Sequence, residues 1–425
     1  MFIGHFTERP YQDPKSGYFG ATGLPIKDLS LSNDVYDPQL GSDLYNRYLD
    51  ERLYAEEMGF DGLMLNEHHS TPFCMGGAMN IEAGILARMT KKAKIVLLGN
   101  ILPIWDDPLW LVEQLSIIDM ISRGRLVSGW VRGTGRESVA HNASPPYNWE
   151  RFQEAHDFIV KAWTEPGPFR WEGKHYQYRY VNPWARPYQK PHPPIWLPGV
   201  VSRDSLTWAA KNRIPYIMLA TALEATKQAF QIYHDAAAGF GYESGSQNIG
   251  YLWKVHVDET EELAEEVGRK YVQGPSNPFL AGNEGTANPA LMTLPGLTSR
   301  TRVLPTKAEA TANRGGQIGT RSYEEQSKMY TIISGTPKTV LPKIRHVLEY
   351  LRPGSVFFWD GDGAMTHEDQ MRSLRLMGEE VIPAVKEMGK ELELFSPFEV
   401  DPATNKPIEN EASGDTPAKA ASLGH

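Results

Sequence analysis

What limits this sequence most is an alternation, kept up for nearly its whole length, of short apolar runs with longer stretches of helical periodicity. Residues 2–6 form a first β-favouring run, and a polar loop rich in Gly, Pro and Asp follows to about Gly41. Leu44, Tyr48, Leu49 and Leu53 then recur at helical spacing, and the pattern stops at Gly59 before the apolar run 62–65. The unit repeats with a helix over 81–89 and a strand over 94–98. Next comes a helix opened by Pro108, with Leu111, Leu115 and Ile118 on one face, and a strand over 125–131. Helices over 152–163, 202–211 and 222–238 and apolar runs over 194–198, 216–219 and 249–257 continue it. A Trp-, Tyr- and Pro-rich stretch, 169–194, intervenes. Thr336-Pro337 reads as an N-cap followed by a proline at the first helical position, leading to a helix up to Leu351 and the apolar run 355–359. Thr366 and Asp369 resemble the capping box of a last helix. Strand starts at Phe2, Gly62, Lys94, Arg125, Pro194, Tyr216, Ile249 and Ser355 number eight. Parallel neighbours need long crossovers, usually helical, so eight such units predict an α/β fold, a (β/α)8 barrel.

A barrel of this kind is expected to fill residues 1–395 as one domain. Two stretches break its rhythm. Residues 273–321, between the seventh and eighth strands, are dense in Gly, Pro, Asn and Thr and read as a lid-like insertion. Its Arg300, Arg302, Arg314 and Arg321 either close over an anionic group or form a solvated loop surface. Residues 396–425 are polar and rich in small side chains, the composition of a flexible tail.

Charge narrows the partners. Lys and Arg number 43 against 52 Asp and Glu, a formal net charge of −9, whereas a nucleic-acid backbone or an anionic membrane calls for a cationic surplus. A small-molecule ligand is the expectation. No apolar run approaches the roughly 20 residues of a membrane span, and His5 and Glu8 stand where a signal peptide is apolar. The single cysteine, Cys74, cannot form an internal disulfide, and a thiolate metal site needs several. A cytoplasmic protein without a metal is expected.

In a (β/α)8 barrel the chemistry sits where strands end at their C-terminal tips. After the second run comes Asn66-Glu67-His68-His69, where metal ligation, a hydrogen-bonded brace and a ligand-facing His68 are the competing readings. After the third stands Gly99-Asn100, whose amide offers donor and acceptor to a planar heterocycle or simply makes a turn. Arg132-Gly133-Thr134-Gly135-Arg136-Glu137 has glycine spacing like a phosphate loop without its lysine. Gly199-Val200-Val201-Ser202-Arg203-Asp204-Ser205 feeds a helix N-terminus, a good anion site, with N-capping by Ser202 as the plainer reading. Asp360-Gly361-Asp362-Gly363 lacks the rest of a calcium loop and reads as a turn. No nucleophile elbow or zinc-protease motif is present, which points to an organic cofactor for any demanding chemistry.

Taken in order, AEEMGFDGLMLNEHH (55–69), ARMTKKAKIVLLGNIL (87–102), PLWLVEQLSIIDMISRGRL (108–126), PHPPIWLPG (191–199) and Gly335-Thr336-Pro337 resemble the bacterial luciferase-like flavin monooxygenases. The resemblance implies a barrel that takes reduced FMN from a separate NAD(P)H-dependent flavin reductase and activates O2 as a flavin hydroperoxide. Position by position, it implies that Asn100 touches the isoalloxazine, often beside an unusual cis peptide, and that His68 lines the flavin and substrate cavity. Gly199, Val200, Ser202 and Ser205 match the turn and helix start at the FMN phosphate, Arg132 and Thr134 lie near the ribityl chain or phosphate, and Glu67 and His69 brace. His68 and Asn100 are thus the catalytic candidates. The resemblance further implies a homodimer. Eleven tryptophans, among them Trp105, Trp110 and Trp130 near predicted strand ends, fit an apolar or aromatic substrate, with ordinary core as the alternative for most of them. The expected function is a two-component FMN-dependent monooxygenase. Its rivals are a deazaflavin-dependent hydride-transfer enzyme of the same superfamily, a non-catalytic flavin-binding barrel and a metal-dependent barrel hydrolase.

Overall fold

A computed structural model describes residues 1–13, 32–72, 74–133, 135–273, 322–361, 365–401 and 404–408. Eight of its strands form a parallel sheet whose ends meet. β1 (Phe2–Phe6), β2 (Gly62–Leu65), β3 (Lys94–Ile101) and β4 (Leu126–Val131) pair in succession, followed by β7 (Ile195–Gly199), β8 (Tyr216–Leu219), β9 (Ile249–Val257) and β11 (Ser355–Trp359). β11 pairs back onto β1, from Phe2 opposite Ser355 to Phe6 opposite Trp359, which closes an eight-strand barrel. These eight begin within a residue of the starts read from the sequence. The predicted (β/α)8 barrel is the fold.

Crossover helices cover the outside: α1 (Pro38–Glu57), α2 (Met79–Met89), α3 (Pro108–Ser122), α4 (Gly135–Ala140), α5 (Asn148–Thr164), α6 (Arg203–Lys211), α7 (Leu223–Gly239) and α8 (Glu261–Gln273). After the undescribed residues 274–321 come α9 (Tyr323–Lys328), α10 (Pro337–Leu351), α11 (His367–Leu376) and α12 (Ile382–Glu391). Caps fall where the local chemistry puts them. Asp37, Asp107 and Thr366 each accept a backbone N–H of the first turn that follows, and Pro38, Pro108 and Pro337 occupy first-turn positions. Among the described residues, no helix is long and apolar enough to cross a membrane.

The barrel is filled by alternate strand residues, because successive side chains of a strand face opposite ways. Phe2, Phe6, Met64, Val96, Leu98, Val127, Trp196, Ile217, Leu252, Phe357 and Trp359 pack inside, and a larger apolar layer lies between strands and helices. Phe398 stacks among Phe2, Trp196 and Phe357 at the N-terminal end of the barrel, with ring centroids 5.4 Å from Phe2 and 5.8 Å from Trp196. Residues 396–401, the first of the segment read as a tail, therefore close the lower end, and residues 409–425 lie outside the description.

The sequence reading did not include helices α4, α8 and α9, nor three of the strands. β5 (Phe169–Glu172) and β6 (Gln177–Val181) form an antiparallel hairpin inside the Trp- and Tyr-rich stretch. β10 (Ile332–Gly335) pairs with the upper end of β9, outside the barrel ring.

Candidate functional site

The strand tips surround a cavity of about 300 Å³, within the range of small-molecule and cofactor sites. Its floor is the top layer of the barrel interior: Phe6, Met64, Leu98, Leu252 and Trp359. The polar wall comes from different tips, which is what the fold provides.

One side combines hydroxyls, a helix N-terminus and an arginine. Gly199 ends β7, Val200 follows, and Ser202 stands at the N-cap of α6 with Ser205 in its first turn; all four line the cavity. Ser202 does not cap the helix through its side chain. Its hydroxyl donates to Ser205 Oγ at 3.1 Å, and no cap hydrogen bond holds it to the backbone. Two hydroxyls and the helix N-terminus thus face one place. A side chain at Gly199 would run into the Tyr216 hydroxyl, and that hydroxyl donates to Val200 O at 2.7 Å, fixing the turn. Arg132, just past β4, lines the same cavity, its guanidinium 5.3 Å from the Trp149 ring centre. Arginine and paired hydroxyls suit a phosphate monoester, and the floor suits a flat apolar ring, so these residues fit FMN.

At the neighbouring wall, His68 follows β2 and places Nδ1 2.9 Å from Glu137 Oε1. Glu137 is buried on α4 and lines the cavity as well. A histidine fixed at one ring nitrogen by a carboxylate presents the other for hydrogen bonding or proton transfer. The cavity wall at β3 is Leu98, Gly99 and Ile101, with a cis peptide between Leu98 and Gly99. Gly99 packs against β4, where a Cβ would lie 2.5 Å from Gly129 O, so only glycine permits this approach.

Asn100 is not in that wall. It is buried, and its Nδ2 donates to Asn80 Oδ1 at 3.0 Å and reaches Glu67 Oε2 at 3.5 Å. Glu67 also accepts from Ile101 N at 3.1 Å and pairs with His69 Nε2 at 3.1 Å, contacts that hold the β2 and β3 tips together, and Glu67 lines the cavity as well. Thr134, the arginines of residues 274–321 and Asp362-Gly363 lie outside the described residues. Among the described residues no group of three or more His, Cys, Asp or Glu could hold a metal ion. Trp130 is core, and Trp105 and Trp110 line a groove outside the barrel; the tryptophans at the cavity are Trp149 and Trp359.

The sequence reading missed Glu8, Asn66 and Glu137 as cavity residues. Glu8 follows β1 and accepts from Asn66 Nδ2 at 2.5 Å; Asn66 Oδ1 accepts from Arg9 at 3.0 Å. Arg9, fully buried at φ +60°, also donates to Asn66 O at 2.6 Å and forms an ion pair with Glu82 at 3.1 Å. The signal was available, since Glu8 stands after the first apolar run as His68 stands after the second.

Cys74 lies against this cluster, 3.6 Å from Arg9, and burial pushes its thiol up to about 12 against the pull of Arg9. A buried thiol kept protonated is a poor nucleophile. Cys74 is expected to resist Ellman's reagent in the folded protein and to react once guanidinium unfolds it. Colour development in native buffer at the rate of a free thiol would contradict this.

Comparison with known proteins gives the family. The model of the luciferase-like monooxygenase family matches residues 33–352. The alkanal monooxygenase alpha chain of Photobacterium leiognathi is 24% identical over 234 residues, 54% of this chain and 65% of that protein. The oxygenase component of the flavin-dependent trigonelline monooxygenase of Acinetobacter baylyi is 27% identical over 173 residues, 40% and 46% of the two chains. The chain therefore spans less than two thirds of either relative. The oxygenating constituent of a 3,6-diketocamphane monooxygenase from Pseudomonas putida, solved with FMN, superposes with a TM-score of 0.67 at 17% identity, covering 90% of this chain and 99% of that one. An F420-dependent secondary alcohol dehydrogenase gives 0.60 at 16%, covering 90% and 98%. At such identities the likeness is one of fold. Because the family model covers well over half of its length, the chain belongs to the luciferase-like monooxygenases.

Proposed function

We propose that the protein is the oxygenase component of a two-component monooxygenase, using reduced FMN supplied by an NAD(P)H-dependent reductase to insert one atom of O2 into a small apolar or aromatic molecule. The observation that carries this reading is the pairing, in one cavity, of an anion cradle with an apolar floor. Arg132, Ser202 and Ser205 form the cradle, and His68 lines the same cavity. Arg132, Ser202, Ser205 and the backbone at Gly199 hold the phosphate, and Leu98 and Gly99 support the ring. FMN supplies the electrons and the site of O2 reduction. The chain's own part is to fix that group, to keep water from the apolar floor, and to hold a proton on His68, which Glu137 keeps in place. The printed name of the Acinetobacter relative, an oxygenase component, supports the separate reductase. A cytoplasmic location suits a protein fed by such a reductase.

The test mixes the protein with FMN, a flavin reductase, NADH and air and follows substrate panels by mass spectrometry with ¹⁸O2. Incorporation of one labelled atom per product is expected. Hydride transfer with deazaflavin and no oxygen incorporation would select the rival chemistry instead, and flavin binding without turnover on any substrate would select a binding protein.

Ser202→Ala combined with Ser205→Ala is expected to weaken binding of reduced FMN by about 1–3 kcal/mol, the scale of hydrogen bonds lost to a charged group. Anaerobic fluorescence titration reads it; an unchanged curve would move the phosphate elsewhere.

The quaternary proposal is a homodimer through α2 and α3. Their outer faces expose Ile81 (67%), Trp110 (64%), Ile117 and Ile121 around a groove of about 670 Å³, exposed apolar side chains that a second copy would cover. Light scattering should give twice the chain mass, and Trp110→Glu with Ile117→Glu should give the monomer. A wild type that is monomeric at micromolar concentration would refute it.

A further inference from the structure

The barrel ring fixes what lies across from the anion cradle. Its order is β1, β2, β3, β4, β7, β8, β9, β11, so β1 stands diametrically opposite β7. An anion held at Gly199 and Ser205 on the β7 side leaves the β1, β9 and β11 side for a second molecule. On that side the floor is made by Phe6, Leu252 and Trp359, apolar and aromatic, with Phe6 and Trp359 edge to face at 5.3 Å, while the Leu98 side of the floor is left to the flavin ring. Into the β1 side one carboxylate is set, Glu8.

Glu8 is held in place from behind. It is 6% exposed and accepts the Asn66 amide at 2.5 Å, while Asn66 is gripped by two donors of the buried Arg9 guanidinium. Loops at strand tips are ordinarily the adjustable part of a barrel. This one is locked by a guanidinium bonded to Asn66 at the next strand's tip and to Glu82 of α2, which is the arrangement of a recognition group whose position matters.

A carboxylate accepts hydrogen bonds at several lone-pair positions and donates none when ionised. Beside aromatic rings it favours a guest that brings an N–H or O–H donor on an apolar frame. A guest of the same shape without the donor desolvates the carboxylate and returns nothing. We propose that Glu8 is the specificity-determining residue of the cavity and that the substrate is a small aromatic or aliphatic molecule carrying an amine or hydroxyl group seated on it. Glu8 binds and orients; the reacting atoms belong to the flavin side. This inference rests on the FMN reading given above and narrows its substrate class.

The experiment uses the full chain loaded with reduced FMN under argon, so that no turnover occurs, and calorimetry with probe pairs of matched shape: phenol against toluene, and benzylamine against ethylbenzene. The donor-bearing member of each pair is expected to bind at least 10-fold more tightly. Glu8→Gln, which still accepts from Asn66, is expected to cut that preference at least 10-fold, and Glu8→Leu to reverse it. Thermal unfolding of each variant confirms that it is folded, and the Gln variant carries the test if the Leu variant is not. Equal binding within each pair by the wild type, or an undiminished preference in folded Glu8→Gln, overturns the proposal. FMN titration on the same wild-type sample keeps the two readings apart. A protein that binds no FMN overturns the function and this inference with it, whereas FMN binding without donor preference overturns this inference alone.

Discussion

Arg9→Met is expected to lower the stability of the folded protein by about 3–5 kcal/mol, the cost of stranding one partner of a buried ion pair. The guanidinium is completely enclosed, and three groups depend on it: Glu82 at 3.1 Å, the Asn66 side chain at 3.0 Å and the Asn66 carbonyl at 2.6 Å. Methionine fills much of the volume but leaves the Glu82 carboxylate facing apolar surroundings. The field of Glu82 and its neighbours holds Arg9 above its ordinary value although burial works in the opposite direction, so the pair is favourable on balance. Arg52 lies close by and will offset part of the loss, which sets the lower end of the range. Urea denaturation at constant m-value measures the change. A difference below about 1 kcal/mol would mean that the cluster is looser than its distances imply.

His256→Leu should have an effect of the same size, about 3–5 kcal/mol near pH 6, and it should depend on pH. The ring is wholly buried near the end of β9, with Nδ1 3.2 Å from Asp360 Oδ1 and Nε2 3.3 Å from Asp258 Oδ2. Burial alone lowers an imidazole, but the bonds to Asp258 and then Asp360 outweigh it and hold His256 above its ordinary value. The folded form therefore binds this proton more tightly than the unfolded chain, whose histidines titrate near about 6.5. The resulting stabilisation is complete below that pH and is lost as pH rises through the higher folded value. The wild type should thus lose part of its advantage over His256→Leu between pH 6.5 and mildly alkaline pH. Arg372 keeps Asp258 paired at 2.7 Å in the variant, so the deficit falls mainly on Asp360, whose other carboxylate oxygen accepts from Gln370 at 3.1 Å. Denaturation curves at several pH values decide it; a gap between the two proteins that widens with pH would refute the charged assignment.

The fold was legible because a parallel barrel strand, buried on both faces, is a continuous apolar run, and eight of them stand out between helical patterns. β10 escaped because it pairs at the flank of β9, outside the eight-strand ring, so the β/α alternation does not call for it. The β5–β6 hairpin hid in aromatic residues whose alternation belongs to a half-exposed ribbon, not to the barrel. For the cavity, the rule that residues after each run matter picks out His68, Arg132, Gly199, Val200, Ser202 and Ser205, which line one cavity. The same rule, extended to the first run, reaches Glu8. Asn100 shows its limit. Pairing of β3 with β4 shifts register between Leu98 and Asn100, so counting along the strand does not tell which way that amide faces.

Phe398 at the foot of the barrel has a consequence for traffic. With Phe398 packed below Phe2, Trp196 and Phe357, the lower barrel is a continuous plug of rings, and the strand-tip face is the side on which a guest meets the cavity.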